Sequence, residues 1–158
     1  MSEPIQDGRV PHYFDTVTLS NFALCGEFEL LVGRYGASLC LTEQVRVELA
    51  EGVSAGYAKL GVMERALAEG RILVPATMSS VEALFFGALI PALGSGEASC
   101  IALATQRGGV VVTDDLLARR TCSLHGVQVS STIGILKAMC IYGDMSADAA
   151  DAPLGNKV

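Results

Sequence analysis

The sequence predicts an α/β fold, namely a three-layer α/β/α sandwich around a central, mostly parallel sheet of about five strands. Short apolar runs alternate along the chain with segments of helical periodicity, which is the pattern of parallel α/β folds. The clearest run, Val110–Val112, lies between a glycine pair and the sequence T-D-D. Such a β-branched run is typical of a strand buried on both faces. Hydrophobic residues make up 51% of the chain, which suits a sheet covered by helices on both sides.

Local patterns place the individual elements. Strands are predicted at residues 11–15, 38–41, 71–74, 110–112 and 126–129, where short apolar runs end at turn-forming or polar residues. Hydroxyl side chains cap helix N-termini well, so Thr18, Thr42 and Ser95 are the predicted N-caps. Helices are predicted after Thr18 and Thr42, and over residues 26–36, 54–70, 79–88, 96–107, 116–124 and 131–141.

Length and composition indicate one domain. A chain of 158 residues is long enough for one hydrophobic core, which we expect at residues 11–142, after a flexible lead over 1–10 and before a disordered tail over 143–158. The apolar stretch 72–93 is interrupted by Pro75, Glu82 and Pro91, so it predicts a buried helix and not a membrane span. The five cysteines lack C-x-x-C spacing and the first residues lack the apolar core of a signal peptide. Both features predict a reduced, cytoplasmic protein.

The charge balance limits how this chain can bind nucleic acid. Its formal net charge is −6 and it contains no tryptophan. Binding along a general basic surface is therefore not expected, because neutralising phosphates requires clustered lysine and arginine. An acidic protein can still act on a polyanion where divalent cations fill an acidic cleft.

Five acids occupy positions that matter in a parallel sheet. Asp15 ends the first predicted strand, and the pair Asp114 and Asp115 follows the Val110–Val112 strand. Glu48 lies on the apolar stripe of its helix, and Glu97 lies in the first turn of another. Three of these acids also have an ordinary explanation, since the Asp pair can supply a helix N-cap and Glu48 can reach solvent at the rim of its stripe.

Convergence of these acids would make a metal site. The carboxyl ends of parallel strands share one edge of a sheet, where ligands usually bind. Clustered carboxylates repel one another, and a hard divalent cation such as Mg²⁺ or Mn²⁺ relieves that repulsion while preferring oxygen ligands. Such a site can activate water for attack on a phosphodiester.

Five segments, in order, resemble the motifs of the PIN-domain family, which includes the VapC-type toxin ribonucleases. The resemblance covers residues 12–137. The matching segments are F-D-T-V-T-L-S-N-F (14–22), V-R-V-E-L (45–49), L-G-S-G-E-A-S-C-I-A-L-A (93–104), V-V-T-D-D-L-L-A-R-R (111–120) and G-V-Q-V-S-S-T-I-G-I-L (126–136). Ser99 stands where many relatives have a second acid in the third motif.

This resemblance implies a function, a set of site residues and several partners. It implies an endoribonuclease dependent on Mg²⁺ or Mn²⁺ that acts on RNA, with an antitoxin protein as an expected partner. The high apolar content also favours a homodimer, and the interrupted apolar stretch predicts no membrane association. The implied catalytic acids are Asp15, Glu48, Glu97 and Asp115. Metal ligation is implied for Asp15, Glu97 and Asp115, with Asp114 as an alternate or auxiliary ligand, and substrate binding for Thr16, Asn21, Thr113 and Arg119.

Other interpretations remain open at this stage. An inactive PIN-like module could serve as a nucleic-acid-binding or scaffold protein. A haloacid-dehalogenase-like phosphatase also has Asp after its first strand, but that chemistry needs a second Asp two residues later, where this chain has Val17. Among the basic residues, Arg119 and Arg120 are either phosphate contacts or solvated, and Arg107 is predicted to be a solvated helix end.

Overall fold

The computed structural model describes residues 10–141, which contain a four-stranded parallel sheet. The strands are β1 (His12–Phe14), β2 (Leu39–Cys40), β3 (Val110–Val112) and β4 (Gln128–Ser130), in the order β2-β1-β3-β4. The predicted α/β class and parallel sheet are therefore confirmed. The predicted disordered tail over 143–158 and nearly all of the predicted lead over 1–10 lie outside the described residues.

The expected number of about five strands is slightly too high. The predicted strand at residues 71–74 forms only one parallel bridge, between Leu73 and Cys40. The Leu41 amide donates to the Leu73 carbonyl at 2.8 Å, but Leu73 and Val74 are 49% and 36% exposed. Since β2 has only two residues and Pro75 cannot donate a ladder hydrogen bond, pairing does not extend further.

Eight α-helices within residues 10–141 flank this sheet. The predicted helix over 54–70 is wrong as a single element, because the chain turns at Gly56, whose φ of +111° favours glycine, and then forms a short 3-10 helix, Ala58–Gly61. No described helix has the length and apolarity needed to cross a membrane. The helices are α1 (Thr16–Leu24), α2 (Phe28–Tyr35), α3 (Glu43–Ser54), α4 (Val62–Ala68), α5 (Ser80–Leu89), α6 (Ser95–Arg107), α7 (Leu116–Leu124) and α8 (Thr132–Ile141).

The N-caps differ from the prediction at two of three helices. Thr42 caps α3 as predicted, by accepting from the Val45 amide at 3.2 Å. Thr18 does not cap α1, because that helix begins directly after β1 and Asp15 at the junction accepts from the Thr18 amide. Ser95 is the first residue of α6, with Gly94 as its N-cap. The absence of a loop between β1 and α1 fixes Asp15 at the edge of the sheet.

Helix α6 is the central helix of the fold. Residues 98–104 are all buried, and the helix packs against α3, α5 and α7 as well as β1 and β3. At its C-terminal end, Arg107 makes a partly buried ion pair with Glu82 of α5 at 2.7 Å and donates to the carbonyl oxygens of Ala76 and Thr77. The prediction that Arg107 is a solvated helix end is therefore wrong. The N-terminal end of α6 lies at the edge of the sheet where β1 and β3 end.

Candidate active site

All five predicted acids line one cleft of about 530 Å³. Asp15 follows β1, Asp114 and Asp115 follow β3, Glu48 comes from α3, and Glu97 comes from the first turn of α6. The parallel strands β1 and β3 are neighbours in the sheet, so their carboxyl ends bring these segments together. We call this the acidic cleft; its remaining lining residues are Thr16, Val17, Gly94 and Gly96.

Asp15 is the most buried acid of the acidic cleft, with 3% of its surface exposed. One carboxylate oxygen accepts from the Thr18 amide at 2.8 Å, and the other accepts from the Thr113 hydroxyl at 2.5 Å. Burial raises the pKa of this carboxyl, while the hydrogen bonds from Thr113 and Thr18 act in the opposite direction. The same side chain thus caps α1 and stays fixed at the floor of the acidic cleft.

Thr113 positions two acids and does not line the acidic cleft. It directly follows β3 and is completely buried. Its hydroxyl donates to Asp15 and accepts from the backbone amide of Asp115 at 3.1 Å. The substrate contact predicted for Thr113 does not fit this position, because the hydroxyl is sealed from solvent and used within the protein.

The paired acids after β3 have different partners. Asp114 accepts from both the amide and the hydroxyl of Thr132, at 2.8 and 2.5 Å, so both of its oxygens hold the start of α8. Asp115 is the N-cap of α7 and accepts from the Ala118 amide at 2.9 Å through one oxygen. Its other oxygen has no protein donor among the described residues. Asp115 therefore has the freer carboxylate for binding a ligand.

Glu48 is held against the start of α6. It accepts from the Thr16 hydroxyl and from the Gly96 amide, the latter at 3.4 Å. A side chain at Gly96 would overlap the Glu48 carboxylate and crowd the Thr16 hydroxyl at 2.9 Å. Glycine at position 96 thus permits the close approach of α3 and α6 that directs Glu48 into the acidic cleft.

Glu97 is partly buried among the other acids of the acidic cleft. Burial raises its pKa to about 6, with further contributions from repulsion by Asp115, Asp15 and Glu48. Within residues 10–141, no lysine or arginine forms an ion pair with any acid of the acidic cleft. Among the described residues, no group of three or more His, Cys, Asp or Glu side chains is arranged so that it could hold a metal ion.

A family comparison agrees with this geometry. A family model described as a PIN domain matches residues 13–148, which is most of the chain. The chain belongs to the PIN-domain family. No curated protein gave a significant match. PIN domains are generally nucleases, so the fold of this chain is of a nuclease type.

Two predicted substrate residues of this PIN domain lie away from the acidic cleft. Asn21 is on α1, and its side chain is not part of the cleft lining. Arg119 donates from its guanidinium to the Thr113 carbonyl at 3.0 Å and lines a neighbouring groove. Ser99 is buried, bonded to the Thr42 hydroxyl and the Gly96 carbonyl, so it too is separate from the cleft lining.

Sequence analysis missed two residues that shape the site of this PIN domain. Gly96 is needed for the approach of α6 to Glu48, and Thr132 binds both oxygens of Asp114. The two glycines in L-G-S-G-E, flanking a helix start, were the available signal for close backbone approach. No local pattern pairs Thr132 with Asp114, because they are 18 residues apart.

Proposed function

We propose that this PIN domain is a metal-dependent endoribonuclease that hydrolyses RNA phosphodiester bonds in the acidic cleft. The observation that carries the proposal is the convergence of five carboxylates without a basic partner among the described residues. Such a cluster is electrostatically unfavourable until a cation neutralises it. Burial is the main cause of the raised pKa of both Asp15 and Glu97, and repulsion by neighbouring acids adds to it.

The donor set fits Mg²⁺ or Mn²⁺. The acidic cleft offers only hard oxygen ligands, with Asp15, Glu97 and Asp115 as the proposed ligands and Asp114 as an auxiliary one. Mg²⁺ commonly uses one or two protein carboxylates and retains water, so it does not require a closed cage of three side chains. When bound, the metal would polarise the scissile phosphate and lower the pKa of water.

Each residue then has a distinct role. Asp15 is fixed by Thr113 and Thr18, and Asp115 is fixed by its capping bond, so both carboxylates are held in place at the site. Glu97, whose pKa burial raises to about 6 in the metal-free protein, would lose its proton when it binds the cation. Glu48 is the fourth catalytic acid, and Thr16 orients it through its hydroxyl.

The proposal is tested by cleavage of single-stranded RNA by purified protein with Mg²⁺ or Mn²⁺. We expect Asp15→Asn, Glu97→Gln and Asp115→Asn each to lower the rate by at least about a hundredfold, since even supporting residues of metal sites contribute tenfold to a hundredfold. The matched control is Glu51→Gln, which neutralises an exposed acid of α3 outside the acidic cleft. Circular dichroism of each variant shows whether the fold is retained.

The outcomes separate this function from its alternatives. Equal cleavage by the wild type and Glu97→Gln would contradict the proposal and indicate a contaminating nuclease. A folded wild type that does not cleave RNA would support the inactive PIN-like module. A phosphatase of the haloacid-dehalogenase type is disfavoured because Val17 lines the acidic cleft at the position where that chemistry needs its second acid.

The toxin role and the partners stay predictions that accompany this function. An antitoxin would cover the acidic cleft, next to which Val17 and Leu116 are 64% and 61% exposed. A small basic protein encoded by the adjacent gene would favour this role. The homodimer and the cytoplasmic location also remain predictions.

A further inference from the structure

A second groove lies beside the acidic cleft, between α7 and the edge strand β4. Its volume is about 470 Å³, and its lining residues are Arg119, Arg120, Ser123, Leu124 and Val129. We call it the arginine groove. The sheet order places β4 at one edge, so no further described strand covers this side of the groove.

No acid of the described residues neutralises the two arginines of this groove. Elsewhere, Arg46 pairs with Glu64, Arg71 with Glu29, and Arg107 with Glu82. Within residues 10–141, neither Arg119 nor Arg120 forms an ion pair, and the Thr113 carbonyl bound by Arg119 carries no formal charge. In a chain of net charge −6, these two arginines give the lining of the groove a local positive charge.

The arginine groove and the acidic cleft both lie along helix α7, and Thr113 connects them by hydrogen bonds within the protein interior. The Arg119 guanidinium donates to the carbonyl of Thr113 at 3.0 Å, and the hydroxyl of Thr113 donates to Asp15 at 2.5 Å. Helix α7 itself begins at the acidic cleft, where Asp115 caps it, and carries Arg119 and Arg120 one turn later. Asp115 of the acidic cleft and Arg119 of the arginine groove are therefore about one helical turn apart along α7.

We infer that the arginine groove binds the single-stranded RNA segment next to the scissile phosphate, an inference that rests on the proposed function. Guanidinium groups suit phosphate because they donate in a planar, paired geometry, and the Ser123 hydroxyl adds a further donor. Leu124 and Val129 provide an apolar wall for a base, and Leu124 is 83% exposed. Because the groove lies beside the acidic cleft along α7, an RNA strand that is cleaved in the cleft is a better occupant than an acidic protein segment.

Binding is measured by fluorescence anisotropy with a labelled single-stranded RNA in EDTA, so that cleavage does not contribute. We expect Arg120→Gln to weaken binding by about tenfold, since charge-assisted hydrogen bonds are among the stronger ones. The slope of log K against log salt should fall by about 0.7 for each arginine removed, in Arg120→Gln and in the double variant with Arg119→Gln. Arg65→Gln, on the exposed surface of α4, is the matched control.

Several results would overturn the inference. One is an Arg120→Gln variant that binds RNA like the wild type or like Arg65→Gln. Another is poly-L-glutamate that displaces RNA as effectively as RNA of equal charge, which would assign the groove to an acidic protein segment. The double variant is not needed for this decision, because Arg119 also supports Thr113.

Cleavage assays distinguish failure of this inference from failure of the proposed nuclease. Under Mn²⁺, Arg120→Gln should raise KM for RNA more than it lowers kcat. If the wild type cleaves RNA and the groove variants bind RNA normally, the nuclease proposal stands and the arginine groove is not the RNA-binding site. If the wild type binds RNA through the groove but does not cleave it, the groove inference stands and the nuclease proposal is contradicted.

Discussion

At the scale of single residues, the charge on Glu97 destabilises the metal-free protein. Its pKa is raised from 4.5 to about 6, chiefly by burial and then by the neighbouring acids. The folded state therefore binds this proton more tightly than the unfolded chain does. The stabilisation that comes from this bound proton is fully present below about pH 4.5 and is lost as the pH rises through about 6.

We therefore expect Glu97→Gln to stabilise the metal-free protein at neutral pH. The free energy of unfolding should rise by about 1 kcal/mol at about pH 7, a value reduced from the full pKa conversion because solvent screens this partly exposed group. At about pH 4 the gain should vanish, because the wild-type carboxyl is then protonated. Urea unfolding in EDTA measures both values.

Glu51→Gln provides the control for this prediction, because Glu51 is exposed on α3. The free energy of unfolding of Glu51→Gln should differ little from that of the wild type at either pH. An equal gain for Glu97→Gln at both pH values would show that packing, and not charge, is responsible.

The sequence predicted the identity of the acids better than their surroundings. Asp115 was open to two explanations, as a helix cap or as a site residue, and the structure shows that one oxygen caps α7 while the residue lines the acidic cleft. Helical periodicity placed Glu48 on an apolar stripe but could not identify its neighbours, Thr16 and Gly96. Thr113 was expected to bind substrate only from the resemblance to the family, and a match along the chain does not reveal that its hydroxyl is buried.

At the scale of elements, the contact between α3 and α6 depends on Gly96. We expect Gly96→Ala to displace Glu48 and to weaken Mn²⁺ binding by about tenfold, the lower range for residues that support metal sites. The usual stabilisation of about 1 kcal/mol from replacing a helical glycine by alanine should be absent, because the new methyl group meets Glu48 and Thr16. Urea unfolding and Mn²⁺ titration calorimetry provide the two measurements.

Gly87 of α5 offers a matched comparison, because a methyl group there would meet nothing within 4 Å. Gly87→Ala should gain about 0.5 to 1 kcal/mol and leave Mn²⁺ binding unchanged. If Gly96→Ala matches Gly87→Ala in both measurements, the close approach at Gly96 does not position Glu48.

Element boundaries were predictable where one strong local signal controls them. The helix at residues 116–124 has the predicted bounds, since Asp115 caps it and Gly126 follows it. The strand at 71–74 failed because a strand needs a partner, and β2 is too short to provide one. That information is contained in the tertiary arrangement and not in the apolar run itself.

At the scale of the whole molecule, the acidic cleft stores electrostatic repulsion that a divalent cation should release. A ligand that binds only the folded state stabilises it by RT ln(1 + [L]/Kd), which is about 2.7 kcal/mol at a hundredfold excess over Kd. For a domain of this size, that corresponds to a rise in Tm of roughly 5–10 °C. We expect Mn²⁺ to produce this rise in the wild type, as followed by circular dichroism during heating.

The ion itself, and not ionic strength, should be responsible for this stabilisation. NaCl at matched ionic strength should give a smaller rise, because screening between charges a few ångströms apart is incomplete. Asp115→Asn should remove most of the Mn²⁺ effect while keeping an acceptor for the Ala118 amide, whereas Glu51→Gln should retain it. Equal Mn²⁺ shifts in Asp115→Asn and Glu51→Gln would place the cation outside the acidic cleft, and the proposed metal chemistry would then have no support there.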